Sequence, residues 1–367
     1  MKKLNKFAIF IVMASFALFS CQKKKDPAPV NDPDPILGSS FLFTGASPMG
    51  VCYGPYHMGD FKADPFLQAP GKKIPVTQID TDLGMIAQHF TFFRTYTQSD
   101  GMDTVPHFAK KHNLQVALGV WVYPNDASKT KWEAETAVRL AKQYPDQVRC
   151  ITVSNEPSTV QGLTYARVAE VMNEVHSMMQ KAGVNKPLSS CIKGPQVNDN
   201  NAKVVLDACK NLNDANNRHI FLTIYPYGGQ RGNPVPYNTP GDIKANMDYS
   251  YGNAIKPCED AGLNVIIGEM GWPSGKDNNE TPAPPSEKPL DWETVDNMKA
   301  NYFATLSWMR GHHEGSTVFP DKIYTTFWFE MFDEPWKIYE DPSRGTGPCY
   351  GLYYNNPDPP AKFTITN

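Results

Sequence analysis

Eight short runs of apolar, β-branched and aromatic residues recur along the chain. They are GVCYGPY (50–56), FTFFRTY (90–96), LQVALGVWVYP (114–124), VRCITVSNEP (148–157), PLSSCIKGP (187–195), HIFLTIYPYGG (219–229), LNVIIGEMGWPS (263–274) and IYTTFWFEMFDEPWK (323–337). Their apolar continuity suits parallel strands covered on both faces, since a sheet wetted on one face would alternate polar with apolar. Helical patterns lie between them. In 129–144, Trp132, Ala137, Leu140, Ala141 and Tyr144 recur at helical spacing; in 163–183, Ala169, Met172, Val175, Met179 and Ala182 form one stripe, and Gly183 stops it. A third amphipathic pattern covers 294–311. Strand–helix alternation carried to eight strands predicts an α/β fold, a single-domain (β/α)8 TIM barrel. A doubly wound open sheet is the alternative, but no glycine-rich phosphate loop follows the first strand. Two stretches rich in Pro, Gly and Asn, 228–240 and 275–291, follow the sixth and seventh strands. They are expected on the C-terminal face of the barrel, as walls of a cleft.

The N-terminus is not part of this pattern. Lys2, Lys3 and Lys6 precede an apolar run from Phe7 to Phe19, and Cys21 follows Ser20. The run is too short to span a bilayer as a helix. A positive start, a short apolar middle and a Cys after a small residue resemble a bacterial lipoprotein signal. The expected organisation is a signal peptide over 1–20, an extended Lys-, Asp- and Pro-rich tether over 21–40 starting at lipidated Cys21, and a catalytic domain over 41–367. The expected location is the cell envelope, at the outer membrane, with the face left open and the lipid as the only membrane contact.

The chain carries a formal charge of −3, made more negative by loss of the leader's lysines, so no nucleic-acid partner is implied. Apart from Cys21, the cysteines are Cys52, Cys150, Cys191, Cys209, Cys258 and Cys349, with no C-x-x-C spacing. Export permits disulfides, yet Cys52, Cys150 and Cys191 sit inside apolar runs as small buried residues would. His312-His313-Glu314 reads as a solvated helix end; no metal or cofactor is implied, and a monomer is expected.

The strand ends hold the chemistry. Within NVIIGEMGWPS, Glu269 follows Val265-Ile266-Ile267-Gly268 and precedes a Gly-Trp-Pro turn. A carboxylate there is costly unless it is paired or hydrogen-bonded. Other strands finish in Tyr53 and Tyr56, Arg94 and Tyr96, Trp121 and Tyr123, Asn155-Glu156, Tyr225-Pro226-Tyr227, and Glu330, Asp333, Glu334, Trp336 and Lys337. In a barrel these converge over one mouth. Aromatic faces with carboxylates between them suit a sugar, which presents flat C–H faces and outward hydroxyls. Glu156 and Glu269 are the pair that glycoside hydrolysis requires. The competing reading is that each is an ion-pair partner of a core cation such as Arg94 or Lys337.

VSNEP (153–157), GEMGWPS (268–274), TIYPY (223–227), FEMFDEPWK (329–337) and GVCYGPY (50–56) together resemble glycoside hydrolase family 17, in order and over residues 48 to 340. The resemblance implies a (β/α)8 barrel acting on β-1,3-glucan with retention. It implies that Glu156 is the general acid/base, Glu269 the nucleophile and Asn155 a ligand of the sugar 2-hydroxyl. Tyr225 corresponds to an aromatic residue near the nucleophile. Glu334 and Lys337 correspond to a pair supporting nucleophile and substrate, and Tyr56, Tyr96 and Trp272 to substrate contacts. Met270 departs from the family's usual Thr or Ser, and DEPWK follows the microbial branch. The expected activity is that of a retaining endo-β-1,3-glucanase on laminarin-type glucan. The alternatives are a β-1,3-glucanosyltransferase using the same site, a non-catalytic glucan-binding lipoprotein, and a hydrolase of β-1,4 or β-1,6 linkages.

Overall fold

The computed structural model describes residues 42–45, 47–58, 67–225, 247–275, 293–310, 322–339, 347–355 and 359–366, all within the unit Pro35–Asn367. Cys21 with the leader and tether, the 228–240 loop, Tyr227, His312-His313-Glu314 and all of 275–291 except Gly275 lie outside the described residues.

Eight strands close a barrel in sequence order, every neighbouring pair parallel. They are β1 (Met49–Cys52), β2 (Phe92–Arg94), β3 (Gln115–Val120), β4 (Val148–Asn155), β5 (Leu188–Lys193), β6 (His219–Thr223), β7 (Asn264–Met270) and β8 (Thr326–Trp328). Closure leaves no sheet edge to pair with another chain. The expected (β/α)8 barrel is the observed fold. The strands are shorter than the apolar runs that announced them, so Tyr56, Tyr96 and Tyr225 follow the strand ends, while Tyr53, fully buried, turns outward and donates to Asp82 of the first helix at 2.8 Å.

The helices are α1 (Val76–Ile86), α2 (Val105–Lys111), α3 (Ala127–Gln143), α4 (Tyr165–Ala182), α5 (Lys203–Asn211), α6 (Lys256–Asp260, continuing a π-helical turn at Tyr251–Ile255) and α7 (Val295–Met309). The three long ones start on side-chain caps. Asp126 accepts from the Lys129 amide at 2.9 Å, Thr164 from that of Arg167 at 3.1 Å and Thr294 from that of Asn297 at 3.1 Å. Gly183 ends α4 at φ 69°. Along α4 the Met172–Val175–Met179 stripe is buried as expected. On α3, Trp132 departs from expectation: it is 43 % exposed, because it lies off the arc occupied by Ala137, Leu140 and Ala141. α1 buries Gln78 and Asp82 beside its Ile79–Leu83–Ile86 stripe.

Two apolar clusters divide the core. The larger fills the space between strands and helices. The smaller takes one residue from each strand (Cys52, Phe92, Ala117, Cys150, Cys191, Phe221, Ile266 and Phe327) and adds Phe43 from the segment before β1. This is the packed interior of the barrel. All six described cysteines are buried. Burial pushes the Cys150 and Cys191 thiols up to about 12, so they serve as small core residues.

One polar group inside α3 ties the mouth to the helix layer. Glu133, with no exposed surface, accepts from the Thr97 hydroxyl, the Ser99 hydroxyl at 2.8 Å, the Gln98 amide at 2.7 Å and the Trp121 amide at 3.3 Å. It therefore fixes the segments after β2 and β3 that carry Tyr96 and Trp121. Replacing Glu133 by Ala leaves two backbone amides without an acceptor, at about 1–3 kcal/mol for each buried group. The expected result is an unfolding free energy lower by about 2 kcal/mol or more, read as a lower urea midpoint at an unchanged m-value, and a smaller loss for Glu133→Gln. Equal midpoints for wild type and Glu133→Ala would rule this bracing role out.

Candidate active site

Strict alternation along a strand would turn the key side chains the wrong way. In β7, Ile266 points into the barrel, so Gly268 should follow it inward and Glu269 should face the helices. The ladder shifts instead: Leu222 pairs with Ile267 and Thr223 with Glu269, skipping Gly268. In β4, Cys150 points inward, so Asn155 should point outward. Here Val153 pairs with Ser190 and Asn155 with Cys191, skipping Ser154. Such bulges re-aim side chains. Ser154 and Glu156 hold positive φ of 67° and 43° on either side of Asn155. These conformations cost non-glycine residues about 1–3 kcal/mol each and gather at functional sites.

The re-aimed Glu269 is 4 % exposed. Its Oε1 accepts from Tyr96 Oη at 2.8 Å and Asn155 Nδ2 at 3.0 Å, with Arg94 Nη1 at 3.5 Å. Its Oε2 accepts from Tyr225 Oη at 2.8 Å. Arg94 also donates to Asn155 Oδ1 at 2.8 Å and to the Gly268 carbonyl at 3.0 Å. Four donors from three strand ends, those of β2, β4 and β6, thus fix one carboxyl group in orientation, and it accepts from all of them. Burial, with the nearby Glu269 charge adding to it, holds the Tyr96 and Tyr225 hydroxyls well above their ordinary range, so both stay proton donors.

Glu156 meets a different environment. Thr223 Oγ1 donates to its Oε1, and Lys193 Nζ lies 3.5 Å from its Oε2. Burial raises its pKa, the negative charge of Glu269 raises it further, and Thr223 and Lys193 offset part of the rise. Two carboxyl groups thus share one mouth, one inclined to keep its proton and one ringed by donors. That difference is the basis for dividing acid and nucleophile roles.

The segment after β8 forms a second charged cluster. Lys337 Nζ contacts both oxygens of Glu330 and Oε2 of Glu334, each at 2.7 Å. Burial alone would lower the Lys337 pKa, but the two carboxylates raise it. Burial raises Glu330 well above the usual carboxylate range despite Lys337. Glu334 Oε1 also faces the Tyr56 amide at 3.4 Å and lies 2.1 Å from where a Cβ on Gly54 would stand, so any side chain there would displace the Glu334 carboxyl.

The structure gathers Glu156, Glu269, Asn155, Tyr96 and Tyr225 into one constellation. It does not give the other expected substrate contacts that role directly. Trp272 has no exposed surface and packs in the outer core. Tyr56 is 6 % exposed, and its hydroxyl donates to Asp100 at 2.7 Å. Glu334 is 2 % exposed with both oxygens engaged, and Lys337 is held between two carboxylates. These residues support the mouth from beneath. The half-buried aromatic rings at the mouth include Trp121, Trp336 and Tyr350. Tyr350 packs edge-on against Tyr225 at 5.8 Å. Sequence reasoning did not single out Thr223, Lys193 or Glu133. Lys193 ends a strand-like run, the one signal that could have found it.

With this geometry in view, comparison with known proteins places the chain among glycosidases. A profile of the BtgE/BtgC glycoside hydrolase domain matches residues 50–351. A Schizosaccharomyces pombe protein named glucan 1,3-beta-glucosidase is 25 % identical over 283 residues, covering 75 % of this chain and 77 % of the relative. An endo-laminarinase from Formosa Hel1_33_131 superposes with a TM-score of 0.62 at 16 % identity, over 83 % of each chain. An active-site mutant of a Rhizomucor miehei beta-1,3-glucanosyltransferase, solved with laminaritriose, gives 0.59 at 15 % identity, over 87 % of this chain and 97 % of that one. At these identities the two solved structures establish a shared barrel.

The charge balance at Glu156 is directly measurable. Glu269→Gln removes the negative neighbour that helps raise the Glu156 pKa, so Glu156 should titrate at lower pH in that variant, as read by carboxyl 13C NMR. An unchanged titration would mean that the two carboxyls do not sense each other.

Proposed function

The chain belongs to the BtgE/BtgC glycoside hydrolase family, and from that premise we propose that it is a retaining endo-β-1,3-glucanase acting on laminarin-type glucan. The observation that carries this reading is the unlike pair: Glu156 inclined to hold a proton, and Glu269 fixed by Tyr96, Asn155, Arg94 and Tyr225. The β-1,3 linkage is supported by the name of the fission-yeast relative and by the family 17 motifs at 153–157, 223–227, 268–274 and 329–337.

In the first half-reaction a Glu269 oxygen bonds the anomeric carbon. The glycosidic C–O bond breaks, and the Glu156 proton passes to the leaving oxygen. Asn155, which donates to Glu269 and accepts from Arg94, takes the sugar 2-hydroxyl in this reading, the role that the family 17 resemblance implies for it. In the second half-reaction the Glu156 carboxylate takes a proton from water, whose oxygen displaces Glu269. A sugar hydroxyl in place of that water would give the transferase outcome. The segment before the barrel fits a role at the envelope: we propose that Cys21 is acylated and tethers the domain to the outer membrane. Labelling with a fatty-acid analogue should mark wild type and not Cys21→Ala, and equal labelling would sink the assignment.

The purified protein should release reducing ends from laminarin, with the β-anomer formed first by 1H NMR. Glu156→Gln should lower turnover by about 10²–10⁴-fold, the usual contribution of a positioned acid. A crystal structure should place the two carboxyl groups about 5–5.5 Å apart. An α-anomer formed first would overturn retention, products longer than the donor would favour transfer, and binding without turnover would favour a glucan-binding protein.

A further inference from the structure

Glu156 has two polar neighbours from the adjacent strands, and they differ in kind. Thr223 is buried and neutral. Lys193, the last residue of β5, is charged, and its side chain is 38 % exposed. Lys193 shares the inward parity of Cys191, so its stem starts from the barrel wall and its ammonium reaches the mouth. Among the described residues, Glu156 is the one acidic group within ion-pair distance of it.

The charged and titratable groups facing Glu156 come from several elements. Glu269 faces it from β7, Cys191 and Lys193 from β5, Tyr225 from beyond β6 and Tyr165 from α4, while Arg94 of β2 reaches Asn155 beside it. Burial raises the Cys191, Tyr225 and Tyr165 groups, which therefore stay protonated at ordinary pH. Arg94 is committed to Glu269, Asn155 and the Gly268 carbonyl. The field at Glu156 is thus set by one negative neighbour and one positive one.

The proposed reaction moves charge between these carboxyls. Before the first step Glu269 is the anion and Glu156 holds the proton. After it, Glu269 is a neutral ester and Glu156 is the anion. Arg94 remains committed to Glu269, Asn155 and the Gly268 carbonyl, so Lys193, already at Glu156 Oε2, is the cation left to meet the new charge. Resting on that assignment of Glu156, we propose that Lys193 is a positioning residue for the acid/base: it holds Glu156 Oε2 and stabilises its carboxylate form between the two half-reactions. A plain surface lysine would only solvate the rim, and its removal would leave the proton affinity of Glu156 unchanged.

The test compares Lys193→Met and Lys193→Arg with the wild type. Two readouts are used: the pH profile of kcat/KM on laminarin, and the carboxyl 13C titration of Glu156 without substrate. Loss of the positive neighbour disfavours the carboxylate. The alkaline limb, where Glu156 loses its proton, should move up by about one pH unit in the Met variant, the low end for an opposite charge at this range. The Glu156 titration should move the same way, and Lys193→Arg should restore both. Thermal stability should change little, as for other substitutions at partly exposed positions. An unmoved limb and titration in Lys193→Met overturns the proposal. A wild type without turnover overturns the hydrolytic reading instead, while the titration still decides the Lys193 contact, upward for it and unmoved against it.

Discussion

The site is organised by one buried cation. Arg94 is 1 % exposed, at the end of the short strand β2. A guanidinium there is tolerable only if its donors and its charge are met. The barrel meets the charge and both terminal nitrogens across its mouth, with the Gly268 carbonyl and Glu269 from β7 and Asn155 Oδ1 from β4, and leaves only Nε without an acceptor among the described residues. The room for this is also specific. A Cβ at Gly268 would lie 3.0 Å from Arg94 Nη1, 3.0 Å from Cys191 Sγ and 3.1 Å from Phe221 Cβ. Glycine before the carboxylate is thus how the strand lets the guanidinium pass. A buried ion pair adds little net stability, since desolvation opposes its attraction, but losing one partner would leave the other exposed to a cost of several kcal/mol. Arg94 therefore dictates geometry more than it contributes stability.

That dependence explains what could be read in advance and what could not. The eight apolar runs and the order of their motifs were enough for the barrel, because a closed parallel sheet needs continuous apolar strands and little else. Glu156 and Glu269 stood out because carboxylates are expensive at the ends of such strands. Their directions were hidden. Alternation along β4 and β7 points Asn155 and Glu269 toward the helices, and only the skipped pairings at Ser154 and Gly268 bring them inward. A bulge is a relation between two strands, so one strand's pattern does not announce it. Burial was hidden in the same way. Trp272 and Tyr56 have the chemistry of sugar platforms, but Trp272 is enclosed in the outer core and the Tyr56 hydroxyl is engaged by Asp100.

The segment after β8 repeats the Arg94 solution with the signs reversed. Glu330 and Glu334 are both enclosed, and Lys337 lies between them. Asp333 beside them is met by Lys362, whose ammonium also reaches the Ser274 hydroxyl just after β7. These contacts pin the irregular chain beyond Trp328 to β1 through Gly54 and the Tyr56 amide, and to the segment after β7 through Ser274. A motif rich in acids at a strand end invites a reading as ligand contacts. Here most of its charges are spent on each other, and the exposed product of that spending is an aromatic rim. Trp336 stands edge-on to Tyr56 at 6.0 Å, and Phe329 lies under the Lys337 ammonium at 4.4 Å.

The two central carboxyls also differ in access, and the difference follows from their partners. The Glu269 side chain is 6 % exposed and the Glu156 side chain 16 %. A group that forms and breaks a bond to one carbon gains from being fixed, because orientation is what converts an encounter into a reaction. A group that gives a proton to a departing sugar and takes one from an arriving water must face the route both use. Four rigid donors suit the first task. A threonine hydroxyl on one oxygen and a lysine on a mobile stem at the other suit the second, since a partly exposed ion pair can follow the carboxyl as its charge appears and disappears. The strain at Ser154 and Glu156 then has a physical reason. One strand end must deliver Asn155 to the rigid side of the mouth and Glu156 to the open side within two consecutive residues, and right-handed backbone alone does not turn that sharply.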